Sequence, residues 1–586
     1  VRLRQRRPTN LQGIIVGTLF STLDIARGGM HAARVLLDVS GHNIANVNTE
    51  GYSRQRVELG TPIPVRFSFG QLGRGVSIQS VRRVRDVFLD SVYRYQAANL
   101  GKATIAAQYY RLIEDSFLEP GEQGFGTRLN NFFDALHDFA NNVEEFSVRE
   151  VLVASARDRA GSLNQLYERL NLLRTNANEE IRNLVPEINS LTQVIAQTNR
   201  RIRDAELDNT VANDIRDERD RALDQLARLV NITYTERADG QITVFVGPDV
   251  LVDETGARTL TTVPSSALDP VRNDLLEVRF ADTNALVQVT NGELYGAFQI
   301  RDVAVPAVLG RLDAIAATII EQINRIHSQS NGASNITGAV TGSNAVSDPN
   351  APLTSAGLPF SVTVPGSFQI AVFDAAGNPV AGSPFTISVN AGDSLNILAA
   401  TVNAAAPGIL SATVNADNTL TMSAAAGYTF VFTNDSAGVL TALGINGLFT
   451  GTDARTIAVN PDIIANPGLL SSGFVLDPLA TGDNSAALAM AELRNLLILD
   501  GGASTINDYY ESTIAQLGVD ARANQVVLET ETSFVNDFQR RREEVSGVSI
   551  DEEVTLLLQY QRAFEAAARL VTVTDRMLDV LLAMGA

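Results

Sequence analysis

The chain has 586 residues, a formal net charge of -20 and 45% hydrophobic residues. This length predicts several domains, and the hydrophobic content excludes wholesale disorder. The acidic charge repels phosphate backbones, so we expect no nucleic-acid binding. Cysteine is absent, which excludes disulfides, thiolate catalysis and cysteine-ligated zinc.

The N-terminus is basic and precedes an uncharged stretch from Leu11 to Leu23. This order superficially resembles a secretory signal. Asp24 and Arg27 stand where a small-residue cleavage site would follow, and the periodic pattern runs on through the stretch, so we expect a helix there. We expect no apolar run long enough to cross a bilayer, and we predict no membrane insertion.

Both ends of the chain carry apolar or small residues at alternating spacings of four and three. The N-terminal series is Leu19, Leu23, Ala26, Met30, Ala33, Leu37, Ser40 and Ile44. The C-terminal series is Leu557, Tyr560, Phe564, Ala567, Val571, Thr574, Leu578 and Leu581. These heptad seams predict N- and C-terminal helices that pair as a coiled coil. Packing within one chain and packing between subunits produce the same series, so both stay open.

Short signals predict where helices begin and end. Ser549 with Glu552 forms a capping box for the C-terminal helix, and Ser147 with Glu150 forms another for a long helix in the middle of the chain. Gly51 is typical of the residue that follows a helix end. Pro186 should kink or break the long helix, because proline lacks the backbone N–H.

The middle of the chain alternates between strand and helix patterns. Residues 52–85 predict short strands, residues 86–230 predict helices, residues 231–289 predict strands and residues 306–327 predict a helix. A segment rich in Gly, Ser, Asn and Thr, residues 331–352, predicts a linker or a flexible loop.

A β-rich segment with few charges follows this linker. The predicted strands are 360–364, 368–373, 385–389, 410–414 and 428–432, with turns at 374–378 and 415–418. We therefore expect a β domain inserted into a mainly helical chain.

The fold class expected is mainly α with β-rich parts, in an elongated multidomain chain with discontinuous nested domains. Residues 1–16 are expected to be a disordered extension or a start-site artefact. Residues 17–60 with 545–586 would form a terminal helical domain, and 61–345 with 456–544 an α/β middle domain. Residues 346–455 would form the inserted β domain.

Motifs that carry chemistry are missing from the sequence. It contains no phosphate-binding loop, no nucleophile elbow, no His-Glu-x-x-His and no calcium loop. Adjacent acidic pairs point about 100° apart on a helix, which is typical of solvated faces. We predict no enzyme, and no catalytic residue, cofactor or metal site.

The segment Asp38–Arg56, which reads DVSGHNIANVNTEGYSRQR, closely resembles the N-terminal signature of the flagellar axial proteins. Its extension from Tyr52 to Gln55 is similar to the hook-associated FlgK family within that group. Val545–Glu553 and Ala566–Leu570 resemble the same family's C-terminal helix. The segment Asn213–Asp220 is an internal match.

The resemblance implies a structural subunit of the hook–filament junction, exported without a cleaved signal by the flagellar type III apparatus and located outside the cell. Implied partners are further copies in a helical ring, the hook protein, a second junction protein and an export chaperone. The implied subunit-packing residues are Leu23, Met30, Leu37, Ile44, Asn46, Asn48, Thr49, Gly51, Phe564, Val571, Leu578 and Leu581.

Two other interpretations stay open on the sequence. One is another axial protein, such as a rod or hook subunit or the second junction protein. The other is a secreted enzyme or an adhesin whose β domain binds glycan.

Overall fold

The computed structural model describes residues 11–67, 70–119, 121, 124–207, 210–269, 272–476 and 482–585. Within this range the side chains of residues 11–19, 67, 581 and 584–585 are not described. The expected extension at residues 1–16 therefore lies partly outside the described residues, and a helix begins inside it at Leu11.

The described residues form helices and short strands in alternation. The α-helices are α1 (Leu11–Ala45), α2 (Val87–Ser116), α3 (Phe125–Asn141), α4 (Phe146–Ala205), α5 (Asn213–Leu229), α6 (Glu293–Gln299), α7 (Val305–His327), α8 (Leu395–Ala405), α9 (Val439–Leu443), α10 (Pro461–Ala465), α11 (Ser485–Glu492), α12 (Ile506–Ser546) and α13 (Ile550–Gly585). The strands are β1 (Gln55–Gly60), β2 (Val65–Phe67), β3 (Gly70–Leu72), β4 (Ser77–Arg83), β5 (Ile232–Glu236), β6 (Ile242–Val246), β7 (Asp249–Val252), β8 (Leu260–Pro264), β9 (Leu276–Phe280), β10 (Asn331–Gly332), β11 (Ile336–Thr337), β12 (Ala339–Thr341), β13 (Gly366–Phe373), β14 (Phe385–Val389), β15 (Leu410–Val414), β16 (Leu420–Ala424), β17 (Thr429–Thr433), β18 (Phe449–Thr450), β19 (Ala458–Val459) and β20 (Ser471–Gly473).

About 54% of the chain is helical and 17% is strand, which confirms a mainly α, multidomain fold with β-rich parts. The chain divides into two compact units, each built from separated segments. The first comprises Val1–Ala106, Asn178–Phe298 and Gln525–Ala586, and the second comprises Ala107–Ala177 and Gln299–Asn524. This division differs from the predicted four-part layout, which stays a prediction, as do the elongated shape and the coiled coil.

The first unit contains the terminal helices. Helix α1 packs against α13, and the antiparallel ribbon of β1 and β4 lies against α1. Strands β5, β6 and β7 form an antiparallel sheet, and β8 pairs with β9.

Asparagine side chains fasten these strands to the helices. The Asn199 amide accepts a hydrogen bond from the N–H of Ile242 at 3.2 Å and donates one to its carbonyl at 2.8 Å. Asn189 bonds both backbone groups of Leu260 in the same way, at 2.8 Å each. An amide reproduces the donor and acceptor of a neighbouring strand, so these buried backbone groups stay paired.

The second unit contains the β domain. One sheet has the order β11–β17–β13–β14 and another the order β12–β16–β15. Phe368, Ile387, Leu395, Met422 and Phe432 are at most 1% exposed in the core that these strands share with α8.

The predicted strands of the β domain are mostly confirmed. Those at 368–373, 385–389, 410–414 and 428–432 correspond to β13, β14, β15 and β17. The turn at 374–378 is also confirmed, because Asp374 accepts hydrogen bonds from the N–H groups of Ala376 and Asn378 at 2.8 and 2.9 Å.

Two predictions for this region are wrong. Residues 360–364 form no strand, although Phe360 is buried. Residues 331–352 are not a flexible linker, because β11 pairs with β17 and β12 with β16. Gly and Ser are compatible with edge strands when long-range partners supply the hydrogen bonds, which the local composition does not reveal.

The two predictions for the long helix also need correction. Helix α4 continues through Pro186, so the predicted break is wrong, whereas a kink there stays a prediction. It begins at Phe146, so Ser147 lies inside the helix instead of capping it. Buried side chains on both sides of Pro186, such as Ile181, Leu184 and Ile188, hold the helix in place.

One helical stretch, Glu293–His327, is long and apolar enough by length and composition to cross a membrane, contrary to the sequence interpretation. Four charged residues interrupt this stretch, so no continuous apolar run is visible in the sequence. They are Arg301, Asp302, Arg311 and Asp313. Its side chains Leu312, Ile315, Ile319, Ile320 and Ile323 are at most 1% exposed, as in the core helix of a folded unit.

Candidate assembly interface

We call Asp38–Arg56 the signature segment. Its second half, which follows α1, folds back against the end of that helix. Asn43, which is 1% exposed, accepts hydrogen bonds from the Tyr52 hydroxyl at 2.8 Å and the Gln55 N–H at 2.9 Å. Its amide also donates to the Gln55 carbonyl at 3.0 Å. Burial, and next the carboxylates of Asp214 and Asp217, raise the pKa of Tyr52, so its phenol stays a neutral donor.

The turn at residues 46–51 lies between Asn43 and its hydrogen-bond partners Tyr52 and Gln55. The Asn46 amide donates to the His42 carbonyl at 3.0 Å, and the Thr49 hydroxyl donates to Asn46 Oδ1 at 3.2 Å. Gly51 has φ of +74°, and a Cβ there would lie 2.4 Å from the Arg221 side chain. Asn48 is exposed. Asn46, Thr49 and Gly51 thus shape the turn. The helix end predicted at Gly51 is wrong, because α1 already ends at Ala45, although Gly51 does adopt the left-handed conformation.

A buried charge network holds the signature segment against α5. Ser53 donates to Asp217 from its N–H at 2.9 Å and its hydroxyl at 2.7 Å. Arg83 donates to Asp217 at 2.6 Å and to Asp220 at 2.8 Å. Arg94, which is 4% exposed, donates to Asp220 at 3.1 Å.

The arginines of this network balance the negative charge of its aspartates. Burial raises the pKa of Asp220, but the guanidinium groups of Arg94, Arg83 and Arg85 outweigh it and hold that pKa below its ordinary value. The sequence indicated only that Asn213–Asp220 resembles the family. It did not indicate that the aspartates of this segment anchor the signature segment. Their arginine partners lie more than a hundred residues away in the chain, so no local spacing points to them.

Arg54 joins the N-terminal segment to the C-terminal helix. Its guanidinium donates to Glu553 at 2.7 Å and to Glu552 at 2.9 Å, and its N–H donates to the Ser546 carbonyl at 2.8 Å. Glu553 is 1% exposed. The predicted start of α13 is confirmed, because Ser549 Oγ accepts from the Glu552 N–H, at 3.5 Å. The Glu552 side chain bonds Arg54 and therefore does not complete the box.

The predicted seam residues lie along the α1–α13 pair. Leu23, Met30, Leu37, Ile44, Val571 and Leu578 are half-buried, Phe564 is 37% exposed, and the Leu581 side chain lies outside the described part of the chain. Small residues bring the helices close, since a Cβ on Gly29 would lie 3.5 Å from the Ala567 Cβ. The seams thus pack within one chain, and a role between subunits stays a prediction.

Two further apolar surfaces of helix α13 stay exposed in the part of the chain that the structure describes. We call the first the distal ridge: Leu570, Val573, Met577 and Val580, between 37% and 59% exposed. We call the second the basal patch: Ile550, Val554 and Leu558, between 43% and 55% exposed. At 100° per residue the ridge, the patch and the α1-facing seam lie about 120° apart around α13. Apolar side chains arranged in rows of this kind indicate packing against a partner.

Family models match three parts of the chain. The helical domain of the flagellar hook-associated protein FlgK matches residues 110–341. The C-terminal model of the flagellar basal body rod FlgEFG proteins matches residues 539–584, and the flagella basal body rod protein model matches residues 23–52.

Relatives match over nearly the whole chain. Flagellar hook-associated protein 1 of Bacillus subtilis is 27% identical, with 97% of this chain and 98% of that protein covered. Its Salmonella typhimurium counterpart is 25% identical, with 96% and 99% covered. The solved flagellar hook junction protein FlgK from Burkholderia pseudomallei shares the fold, with a TM-score of 0.51, 16% identity, and 77% of this chain and all of that chain covered.

Proposed function

We propose that the chain is a member of the FlgK family of flagellar hook-associated proteins and a structural subunit of the junction between the flagellar hook and filament. The observation that carries the proposal is the uncovered apolar surface of α13. A helix that already packs on α1 and still exposes two apolar rows is built to pack against further subunits.

The signature segment supports this role by orienting the terminal helices. Asn43, Asp217 and Arg54 connect the end of α1, helix α5 and the start of α13. The charge network, which is buried in the same unit, would therefore hold α1 and α13 in position for contacts with other subunits. In this role Leu23, Met30, Leu37 and Ile44 support the helix pair, and the turn at Asn46–Gly51 fixes its direction.

The helical-domain match favours a junction protein over a rod or hook subunit. The terminal models describe rod proteins, so the terminal helices alone do not separate these classes. Residues 110–341 match a domain described for FlgK.

The proposed partners follow from the same placement. The subunit would form a helical ring with further copies, between the hook protein and a second junction protein. It would reach this extracellular site through the type III export apparatus, with a chaperone on α13 in the cytoplasm. Covering the apolar rows before assembly would prevent premature association.

Deletion of the gene tests the proposed function. We expect cells with hooks but without filaments by electron microscopy, and flagellin released into the medium. Re-expression of the full chain should restore filaments, whereas a chain without residues 550–586 should not. Normal filaments and swimming after deletion would contradict the proposal and favour a secreted enzyme or adhesin.

A further inference from the structure

We propose that the basal patch of one copy packs on the distal ridge of the next, so that neighbouring copies are displaced by about 33 Å along α13. This inference deepens the proposed function, on which it rests, by naming the two surfaces that meet. The occupant of the ridge is a second copy of this chain.

The positions of the two surfaces on α13 carry the argument. They flank the α1-facing seam on opposite sides, so one copy cannot bring them together, and two copies in the same orientation can. Such a contact uses a different surface on each partner, which generates a ring or a helical array instead of a closed pair. Both surfaces adjoin the α1–α13 interface, so the contact would extend an apolar layer that already exists.

The spacing along the helix sets the displacement. Leu558 in the patch and Val580 in the ridge are 22 residues apart, which corresponds to about 33 Å at 1.5 Å per residue. Val554 and Met577 are 23 residues apart, so the same shift aligns both pairs.

Charged residues next to the two surfaces agree with this shift. Asp551 is exposed beside the patch, and a shift of 22 residues brings it level with Val573 of the neighbour. There it lies between Arg569 and Arg576, which are exposed beside the ridge on the corresponding side. Among the described residues, none of these three side chains makes an ion pair within its own chain.

Cysteine cross-linking tests the contact, because the natural chain contains no cysteine. The variant Leu558→Cys/Val580→Cys cannot form an internal disulfide, since its two Cα atoms lie about 33 Å apart on one helix and a disulfide needs less than about 7 Å. In the deletion strain, mild oxidation of isolated hook–filament structures should produce a ladder of covalent multimers of this chain.

The matched control is Leu558→Cys/Asp579→Cys, in which the second cysteine lies on the patch side of α13. We expect at least tenfold less multimer from it. Equal ladders, or cross-links only to a different protein, would overturn the inference. Restored filaments in those same cells would leave the proposed function intact, whereas failure of the unaltered chain to restore filaments would count against the function itself.

A charge exchange keeps the inference testable if the double-cysteine chain does not assemble. Asp551→Arg and Arg576→Asp alone should each lower the number of filaments per cell, and their combination should recover most of them. No recovery in the combined variant would overturn the contact.

Discussion

At the scale of single residues, the buried aspartates Asp217 and Asp220 of the first unit are paired with arginines. Asp217 is 3% exposed and accepts hydrogen bonds from Ser53 and Arg83. A pair of this kind contributes little net free energy, yet removing one member leaves an uncompensated charge in a medium of low polarity. The network therefore makes the position of the signature segment specific.

Replacing Asp217 should be far more damaging than replacing its exposed neighbour. We expect Asp217→Ala to lower the free energy of unfolding by roughly 3–5 kcal/mol. Asp214→Ala, which removes a carboxylate that is two-thirds exposed, should change it by less than about 1 kcal/mol. Urea denaturation followed by circular dichroism measures both, and equal effects would contradict the assignment of Asp217 as an anchor.

His327 makes the stability of the second unit depend on pH. It is fully buried, its Nδ1–H donates to the Asn446 carbonyl at 2.8 Å, and its Nε2 accepts from the Ser471 N–H at 3.1 Å. Burial lowers its pKa from 6.5 to about 4, against the effect of the Asn446 hydrogen bond. The unfolded chain thus binds the proton more tightly, and protonation would direct a second N–H at Ser471.

Stability from this residue is complete above about pH 6.5 and is lost as the pH falls to about 4. The loss should be on the order of 3 kcal/mol, since each pKa unit corresponds to about 1.4 kcal/mol. His327→Gln should flatten the fall in unfolding free energy over this range, and the exposed His137→Gln should leave it unchanged. A parallel pH profile for His327→Gln and the natural chain would refute the assignment.

At the scale of elements, the terminal helices show what periodicity can and cannot reveal. The heptad series correctly predicts α1, α13 and the half-buried positions along them. It does not reveal the distal ridge or the basal patch, because these rows become visible only once α1 is known to occupy one side of α13. The break expected at Pro186 fails for a related reason, since packing of Ile181 and Ile188 overrides a local preference.

The ridge can be separated from the α1-facing seam by single substitutions. Met577→Asp should leave the thermal stability of the purified chain nearly unchanged, because that side chain is 53% exposed, but should abolish filaments in the deletion strain. Asp579→Lys, on the other flank of the helix, should restore filaments. Restoration of filaments by Met577→Asp would contradict a role for the ridge in assembly.

At the scale of the whole molecule, hydrogen-bond partners are the part of the structure that sequence reasoning reached least. Asn199, Asn189 and Asn43 each hold a backbone residue from another segment by both its N–H and its carbonyl. Nothing in the sequence around an asparagine identifies the strand that it will bond. The strands themselves were mostly predicted, because alternation of apolar residues is a local property.

Charge is distributed very unevenly along the chain, and this leads to a last prediction. Residues 328–454 contain no Lys, Arg, His or Glu. Their aspartates all accept backbone hydrogen bonds in turns or at a helix start: Asp348, Asp374, Asp393, Asp417, Asp435 and Asp453. The segment holds none of the 46 Lys and Arg residues of the chain, so the positive charges that remain when acid neutralises carboxylates repel one another outside it.

Because self-repulsion destabilises a compact state, acid should unfold the remainder of the chain before the β domain. Hydrogen exchange at about pH 2.5 should leave the amides of β13, β16 and β17 protected and those of α5 and α13 exchanging. Added salt should restore protection in the helices, since it screens their positive charges, and should change the β domain little. Simultaneous loss of protection in both regions would show that the β domain depends on the rest of the chain for its stability, and that charge does not set the order of unfolding.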